Sequence, residues 1–196
     1  GGVDDQGDRS VFAQAFDAAG QPDGARVTLE PQGVSYGDDL AAQVAALNES
    51  QYVVTWFGRD SRGGMGVFVQ RLSVDGQQWG EVVQLDPVSP GSGLDFSPQV
   101  AALGQGGRFV VTWYGQDEQS DFSIFVQSFG SDGAPSGPQV KLEALYQTRG
   151  RDRLPQVSAL GDEGRFVVVW SGQDWLAPGD DSIYVQSFDA TGQPTG

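Results

Sequence analysis

The sequence predicts an all-β protein made of tandem four-stranded repeats, and the blades of a β-propeller fit the pattern best. Three observations lead to this prediction. A unit of 57 residues recurs, as the spacing of Trp56, Trp113 and Trp170 shows. Each unit holds short runs of β-branched and aromatic residues that alternate with a period of two. Clusters of Gly, Pro, Asp and Ser separate these runs, and no amphipathic helical window of useful length is present.

The first two predicted strands of each unit follow one another closely. The first strand is short and rich in small residues, and its copies are Gln43–Leu47, Gln99–Leu103 and Gln156–Leu160. The second, called the Trp strand below, occurs as Tyr52–Trp56, Phe109–Trp113 and Phe166–Trp170. Its two faces are both largely apolar, which predicts that neighbouring layers cover it on both sides. The three tryptophans at its end are therefore expected to be core residues.

The third predicted strand carries an internal glutamine, and its copies are Val11–Phe16, Val67–Leu72, Ile124–Phe129 and Ile183–Phe188. We expect these glutamines to satisfy buried backbone groups rather than to bind a ligand; they are Gln14, Gln70, Gln127 and Gln186. Turns of the form Gly-x-x-x-Gly, such as Gly20 to Gly24, predict hairpins with positive φ after this strand. A short fourth strand then closes each complete unit, as Val27–Leu29, Val82–Leu85 and Gln139–Leu142.

Four strands per unit and an Ala-rich first strand favour a propeller, since small residues suit the crowded innermost position of a blade. A β-sandwich or a β-solenoid array remains an alternative. The predicted units are residues 1–31 (the second half of a unit), 32–87, 88–144, and 145–196 (a unit without its last strand), in one continuous repeat domain. Because both ends carry copies of the same half-unit, we expect association with other copies of the chain or with neighbouring repeats of a longer one.

Composition excludes several functional classes. Eleven basic residues against 26 acidic ones give a net charge of −15, which disfavours binding to nucleic acid or insertion into anionic membranes. The absence of Cys and His removes Ser-His-Asp and Cys-His catalysis and zinc sites with nitrogen or sulfur ligands. No phosphate-binding or Rossmann motif is present, so no organic cofactor is expected. Any metal must be held by oxygen atoms.

Recurring carboxylates are the candidate metal ligands. A Gly-x-Asp turn follows each Trp strand, and second acids lie close by; the candidates for oxygen ligation are Asp4, Asp8, Asp117, Asp121, Asp174, Asp180 and Asp181. Carboxylates on short loops suit Ca²⁺, which takes six to eight oxygen ligands. The alternative is that each Asp hydrogen-bonds the backbone of its own turn.

The repeat pattern resembles a known family. The strings Val-Ala-Ala-Leu, Phe-Val-Val-Thr-Trp, Gly-Gln-Asp and Ile-Tyr-Val-Gln-Ser-Phe-Asp-Ala, read in this order, are similar to a tandem repeat of large secreted bacterial proteins of the RTX, hemolysin-type class. The resemblance implies an extracellular or cell-surface location and an adhesin-like role. Arg59 departs from the Gly-Gln-Asp pattern. RTX nonapeptides are absent, so their calcium sites do not transfer to this chain.

The predicted function is a non-catalytic structural or adhesive module, self-assembling and stiffened by calcium. Nearly constant unit length argues against an enzyme, because catalytic insertions usually break a repeat. A lectin-like propeller that binds carbohydrate is the alternative, and surface glycans are then the partners. Trp175 and Trp79 do not recur and are placed in turns, where an indole can stack on a sugar ring. A glycan-active enzyme is the third and weakest hypothesis.

Overall fold

The computed structural model describes residues 2–4, 7–30, 37–85, 94–143, 151–173 and 180–196, which form fifteen strands in four antiparallel sheets, called blades 1 to 4. Blade 1 contains β1 (Gly2–Val3), β2 (Arg9–Phe16) and β3 (Pro22–Leu29). Blade 2 contains β4 (Leu40–Ala46), β5 (Gln51–Arg59), β6 (Met65–Ser73) and β7 (Gln78–Leu85). Blade 3 contains β8 (Phe96–Ala102), β9 (Phe109–Gln116), β10 (Phe122–Phe129) and β11 (Val140–Leu142). Blade 4 contains β12 (Arg153–Leu160), β13 (Arg165–Gln173), β14 (Asp181–Phe188) and β15 (Pro194–Thr195).

In every blade the strands are hydrogen-bonded in chain order, so each blade is a meander whose neighbours along the chain are also neighbours in the sheet. The predicted all-β class and the tandem four-stranded, propeller-like repeats are thus confirmed. The predicted unit boundaries stay a prediction. No helix among the described residues is long and apolar enough to cross a membrane.

Apolar clusters lie between successive blades, because both faces of the Trp strand are apolar. The aromatic side of a blade, here called its leading face, packs on the aliphatic side, or trailing face, of the preceding blade. Trp113 and Phe125 on the leading face of blade 3 pack with Val67 and Val69 of blade 2. The side chains of Trp56, Trp113 and Trp170 are buried in these clusters. The rings of Trp113 and Phe125 stack with centroids 5.7 Å apart.

The recurring glutamine of the third strand lies at a β-bulge. Gln70 donates from Nε2 to the carbonyl oxygens of Arg71 at 2.8 Å, and of Trp79 and Gly80 at 3.3 Å, where the register of β6 and β7 shifts. Donation to the carbonyl of the next residue is shared by all four copies, namely Gln14, Gln70, Gln127 and Gln186. In blades 1 and 2, where the register shifts at Gln14 and Gln70, the amide thereby supplies a donor to carbonyls that the irregular ladder leaves without one.

The last strands of blades 1 and 2, β3 and β7, are longer than the predicted Val27–Leu29 and Val82–Leu85. Gly24 was assigned to a turn by the sequence pattern, but it lies inside β3 with φ of 76°. The tight turn ends earlier, at Gly20, with φ of 77°. The second glycine of the Gly-x-x-x-Gly pattern is therefore needed at the bulge, where the left-handed conformation costs Gly little.

Candidate functional site

The Gly-x-Asp turns and the ends of the linkers between blades lie at the same end of the strands in each sheet. The amide of Asp95, just before β8, donates to the carbonyl of Met65 at the start of β6 at 3.1 Å. The amide of Asp152 donates in the same way to Phe122 at 2.9 Å. Each linker therefore returns to the start of the third strand of the preceding blade, next to the Gly-x-Asp turn. We call this side of the molecule the linker edge.

The recurring Asp of each described turn binds its own backbone. Asp117 accepts hydrogen bonds at Oδ1 from the amides of Gln119 and Asp121, both at 2.9 Å. Asp60 does the same with Arg62 and Gly64 at 2.9 and 2.8 Å. The second oxygen of each carboxylate takes a side-chain partner, because Lys141 Nζ donates to Asp117 Oδ2 at 2.9 Å and Arg62 Nε to Asp60 Oδ2 at 3.3 Å. These contacts match the Asx-turn alternative.

Lys141 joins two carboxylates of blade 3. Its ammonium lies 2.9 Å from Asp117 Oδ2 and 2.6 Å from Glu143 Oε1. Partial burial acts to raise the pKa of Asp117, but the hydrogen bonds from Lys141 and from the turn amides outweigh it, and the pKa lies below its usual value. The same carboxylates raise the pKa of Lys141 against the effect of burial. A side-chain cation thus already pairs with Asp117 and Glu143 and offsets one of their two negative charges.

The other predicted calcium ligands have different surroundings. Asp4 accepts at Oδ1 from the amide of Asp8 at 3.0 Å and at Oδ2 from Ser10 at 3.1 Å, and Asp8 accepts from the amide of Gly37 at 2.9 Å. Asp180 is exposed, and Asp181 forms an ion pair with Arg153. Asp174 lies outside the described residues. Among the described residues no group of three or more Asp, Glu, His or Cys side chains could hold a metal ion. Calcium binding stays a prediction.

Three further acids, one per linker, are more buried than any of these. Asp39, Asp95 and Asp152 expose 3, 0 and 2% of their surface. A Cβ on Gly58 would lie 1.8 Å from Asp39 Oδ1, and one on Gly115 would lie 1.9 Å from Asp95 Oδ1. The glycine of the Gly-x-Asp pattern is therefore required by the linker carboxyl that rests on it. In the sequence each of these acids lies four positions before the Gln that begins the next first strand, but this spacing does not show the contact with glycine.

The buried carboxyl of Asp39 has a strongly shifted pKa. Burial, together with the charge of the neighbouring Glu30 and a hydrogen bond to it, raises the pKa of Asp39 to about 8. In blade 4 the corresponding Asp152 accepts a hydrogen bond at Oδ1 from Nε1 of Trp170 at 3.1 Å. Asp152 therefore attaches its linker to the Trp strand of blade 4 through its carboxyl, and to blade 3 through its amide.

An aromatic pocket opens at the linker edge between blades 3 and 4. Its volume is about 280 Å³, and it is lined by Phe96, Tyr114, Phe122, Arg151, Asp152 and Arg153. The Phe96 and Tyr114 rings lie 5.6 Å apart, and the Tyr114 and Phe122 rings 5.8 Å apart. This size is near the lower end for ligand pockets, which are typically about 300 to 1,000 Å³. Aromatic walls with a few charged groups are typical of small-molecule sites.

This pocket breaks the symmetry of the repeat. Positions occupied by Phe96, Tyr114 and Phe122 in blade 3 hold Leu40, Phe57 and Met65 in blade 2, and Arg153, Ser171 and Asp181 in blade 4. Blade 3 is thus aromatic at all three positions, whereas blade 4 places an ion pair there. The recurring acids did not indicate this site, because its lining aromatic residues are the positions at which the repeat varies. Comparison of the units position by position could have found it.

Of the two tryptophans predicted to stack on a ligand, only Trp79 lies within the described residues. Trp79 lies in β7 rather than in a turn, and 52% of it is exposed. The Arg71 guanidinium lies over its ring, 5.6 Å from the centroid. A cavity of about 170 Å³ beside it is also lined by Glu81 and Asp132. Trp175 lies outside the described residues.

Comparisons with known proteins concern the fold. No protein-family model matches the chain, and no curated protein matches its sequence. Among similar solved structures is an α-L-arabinofuranosidase from Lactobacillus brevis, at a TM-score of 0.50 and 12% identity, over 94% of this chain and 71% of that one. An N-acetylgalactosamine deacetylase from F. plautii, in complex with blood group B trisaccharide, has a TM-score of 0.49 at 12% identity, over 82% of this chain and 54% of that one. A Penicillium chrysogenum α-L-arabinanase complexed with arabinobiose has a TM-score of 0.48 at 12% identity, over 87% of this chain and 54% of that one.

At 12% identity the likeness to the arabinofuranosidase bears on the fold, and it is consistent with propeller-type blades. This likeness also contradicts two predictions made from the sequence. The chain was predicted to be a non-catalytic structural or adhesive module and not an enzyme, whereas the solved structure that its fold resembles at a TM-score of 0.50 is a glycan-active enzyme, an α-L-arabinofuranosidase. Both predictions are wrong. The physical reason is that substitutions at equivalent positions can build a pocket in one blade without any insertion, so a regular unit length does not exclude a site.

Proposed function

We propose that this chain is a glycan-active protein that holds carbohydrate in the pocket between blades 3 and 4. The observation that carries the proposal is the concentration of Phe96, Tyr114 and Phe122 at positions where the other blades are not uniformly aromatic. Flat aromatic faces pack against the C–H faces of sugar rings, and charged groups bond their hydroxyls. The fold likeness to an arabinofuranosidase makes arabinose-containing glycans the first substrates to test.

Among the described lining residues, a carboxyl is the group suited to act as acid or base near neutral pH. Without His or Cys in the chain, glycosidic bonds are the natural target, since their hydrolysis needs only two carboxyl groups. One protonates the departing oxygen, and the other activates water or attacks the sugar carbon. Two acids belong to the pocket region. Asp152 lies in its wall, and Asp181 is joined to the lining residue Arg153. We assign the reacting carboxyls to this pair.

The test must separate catalysis from folding, because Asp152 also supports the linker. Asp152→Asn and Asp181→Asn should each reduce the release of reducing sugar from arabino-oligosaccharides more than about 100-fold, the scale on which general acid–base catalysis acts. Asp39→Asn is the matched control, because Asp39 occupies the same buried linker position between blades 1 and 2, and neither it nor a neighbour in the chain lines the pocket. Equal losses in all three variants would refute the assignment, and so would an inactive wild-type protein that binds no glycan.

Carbohydrate binding without turnover is the second candidate. It is favoured by Trp79, whose exposed indole borders a separate cavity with Arg71 and Glu81. Binding of a glycan that survives prolonged incubation intact would support this function. A Trp79→Ala variant should then lose affinity, while Phe122→Met should keep it.

The setting of this activity is likewise a proposal. An extracellular or cell-surface location is supported by the resemblance of the repeat pattern to that of secreted bacterial proteins. The strongly acidic surface is compatible with neutral glycan partners and unfavourable for nucleic acid. Detection of the full-length protein in the medium or on intact cells would test the location.

A further inference from the structure

Two arginines line the aromatic pocket between blades 3 and 4, in a chain with only 11 basic residues. Arg153 forms an ion pair with Asp181. Arg151 is exposed, and its side chain makes no hydrogen bond or ion pair within the described parts of the chain. The pocket therefore presents one guanidinium whose donors are open to a ligand.

Arg151 is a further position at which the repeat varies. Its backbone forms a parallel bridge with Phe122, as that of Leu94 does with Met65 one unit earlier. The residue at the same place in the linker before blade 2, directly ahead of the buried acid, is Asp38. The position thus holds Asp, Leu or Arg, so the fold of the linker does not require a cation there. The cation occurs at the blade boundary that also has the aromatic pocket.

In the proposed reaction, the charge of the pocket region is opposite in sign to that of the chain. The reaction uses Asp152 and Asp181, and one of these two carboxyls must carry a proton to act as the acid. Arg151 and Arg153 then leave an excess of one positive charge, in a chain whose net charge is −15. A guanidinium binds a carboxylate through two parallel N–H···O bonds, so an arginine with open donors in a pocket suits an acidic group of a ligand.

We propose that the glycan held in this pocket carries a carboxylate, on a uronosyl residue beside the sugar that packs on the aromatic rings, and that Arg151 binds this carboxylate. The inference rests on the proposed function, since it names the kind of glycan that the same site takes. A single carboxylate among neutral sugars fits better than a polyuronide, because the net charge of −15 repels a ligand with many negative charges. Arg151 is thus a specificity-determining residue and takes no part in breaking the glycosidic bond.

Isothermal titration calorimetry with two matched ligands tests this specificity. The first ligand is an arabinose-containing oligosaccharide with one glucuronosyl residue, and the second is its carboxyl-reduced form, in which that residue is glucosyl. We expect the wild type to bind the acidic form about tenfold more tightly at low ionic strength, as a hydrogen bond to a charged group allows. The preference should shrink as salt is added, because salt screens a solvent-exposed ion pair.

Two variants assign the preference to one side chain. Arg151→Leu introduces the residue type that Leu94 supplies one unit earlier, so the fold should accept it, and circular dichroism checks this. The two ligands should bind this variant equally. Arg165→Gln removes the same charge from a side chain that is 59% exposed and outside the pocket lining, and it should keep the wild-type preference.

The outcomes separate this inference from the proposed function. Equal affinity of the wild type for the two ligands would overturn the inference and leave the proposed function standing. Binding of neither ligand would overturn both. A preference that persists in Arg151→Leu would also overturn the inference, since another group would then bind the carboxylate.

Discussion

Asp39 gives a quantitative prediction about stability and pH. Its carboxyl has a pKa of about 8 in the folded protein against an ordinary value of 3.8. Between these two pH values the folded state therefore binds one more proton than the unfolded state. Stability must fall as pH rises through this window, by about 1.4 kcal/mol per pH unit from this group alone. From pH 5 to pH 7 the contribution is about 3 kcal/mol.

Asp39→Asn isolates this contribution, because an amide resembles the protonated carboxyl in shape and does not ionise. Urea unfolding at pH 5, 6 and 7, followed by tryptophan fluorescence and by circular dichroism, gives the free energy of unfolding of both proteins. We expect the wild-type value to fall relative to the variant by about 3 kcal/mol across this range. Agreement of the two probes checks that unfolding is cooperative.

A second variant tests the cause of the shift. Burial and Glu30 both raise the pKa of Asp39, so Glu30→Gln should lower that pKa and end the loss of stability at a lower pH. Parallel pH dependences of the wild type and Asp39→Asn would refute the reasoning, since Asp39 would then titrate alike in the folded and unfolded states.

Three other perturbations follow from the same geometry. Gly115→Ala should lower the free energy of unfolding by about 2 to 4 kcal/mol, because the added Cβ would lie 1.9 Å from Asp95 Oδ1. Gly106→Ala is the control and should be nearly neutral, because open space surrounds Gly106. Equal urea midpoints for the two variants would contradict this. Leu154→Gly should raise the free energy of unfolding by about 0.5 to 1 kcal/mol, because Leu154 is exposed and has a left-handed φ of 54°, which costs Leu more than Gly. A lower melting temperature of the variant would show that the Leu154 side chain stabilises the fold by more than its backbone strain costs. Calcium should raise the melting temperature of the wild-type protein. The rise should be larger in Lys141→Met, where no ammonium competes for Asp117 and Glu143. A melting temperature that chelation leaves unchanged in both the wild type and Lys141→Met would contradict calcium binding.

The fold was predictable because the same strand pattern recurs in all four blades. The apolar alternation of Phe109–Trp113 predicts a strand with two covered faces, and the structure shows Phe109, Val111 and Trp113 packed on blade 2, with Val110 packed towards blade 4. The length of β7 was not predictable, because Gln78–Glu81 lacks β-branched residues and is held in the ladder by Gln70 and by a glycine-containing bulge. Local propensity does not report such a tertiary contact.

The site was less accessible to sequence reasoning than the fold. Recurrent acids such as Asp117 and Asp4 led to the calcium prediction, yet in the structure their oxygens accept hydrogen bonds from turn amides and from Lys141 or Ser10. The pocket depends on Phe96, Tyr114 and Phe122 meeting Arg151 and Arg153 across a blade boundary. These residues are far apart in the sequence, and nothing local to any of them shows that they share a cavity.

Calorimetric titration with arabino-oligosaccharides tests the central proposal, that the pocket between blades 3 and 4 binds glycan. Phe122→Met replaces the pocket ring with the type of residue that blade 2 carries at this position, and Met65→Leu is the corresponding conservative change in blade 2. Loss of one stacking contact of about 1 to 1.5 kcal/mol should weaken binding about tenfold in Phe122→Met and leave Met65→Leu unchanged. Equal affinity of the wild type and Phe122→Met, or no binding by the wild type, would contradict the account.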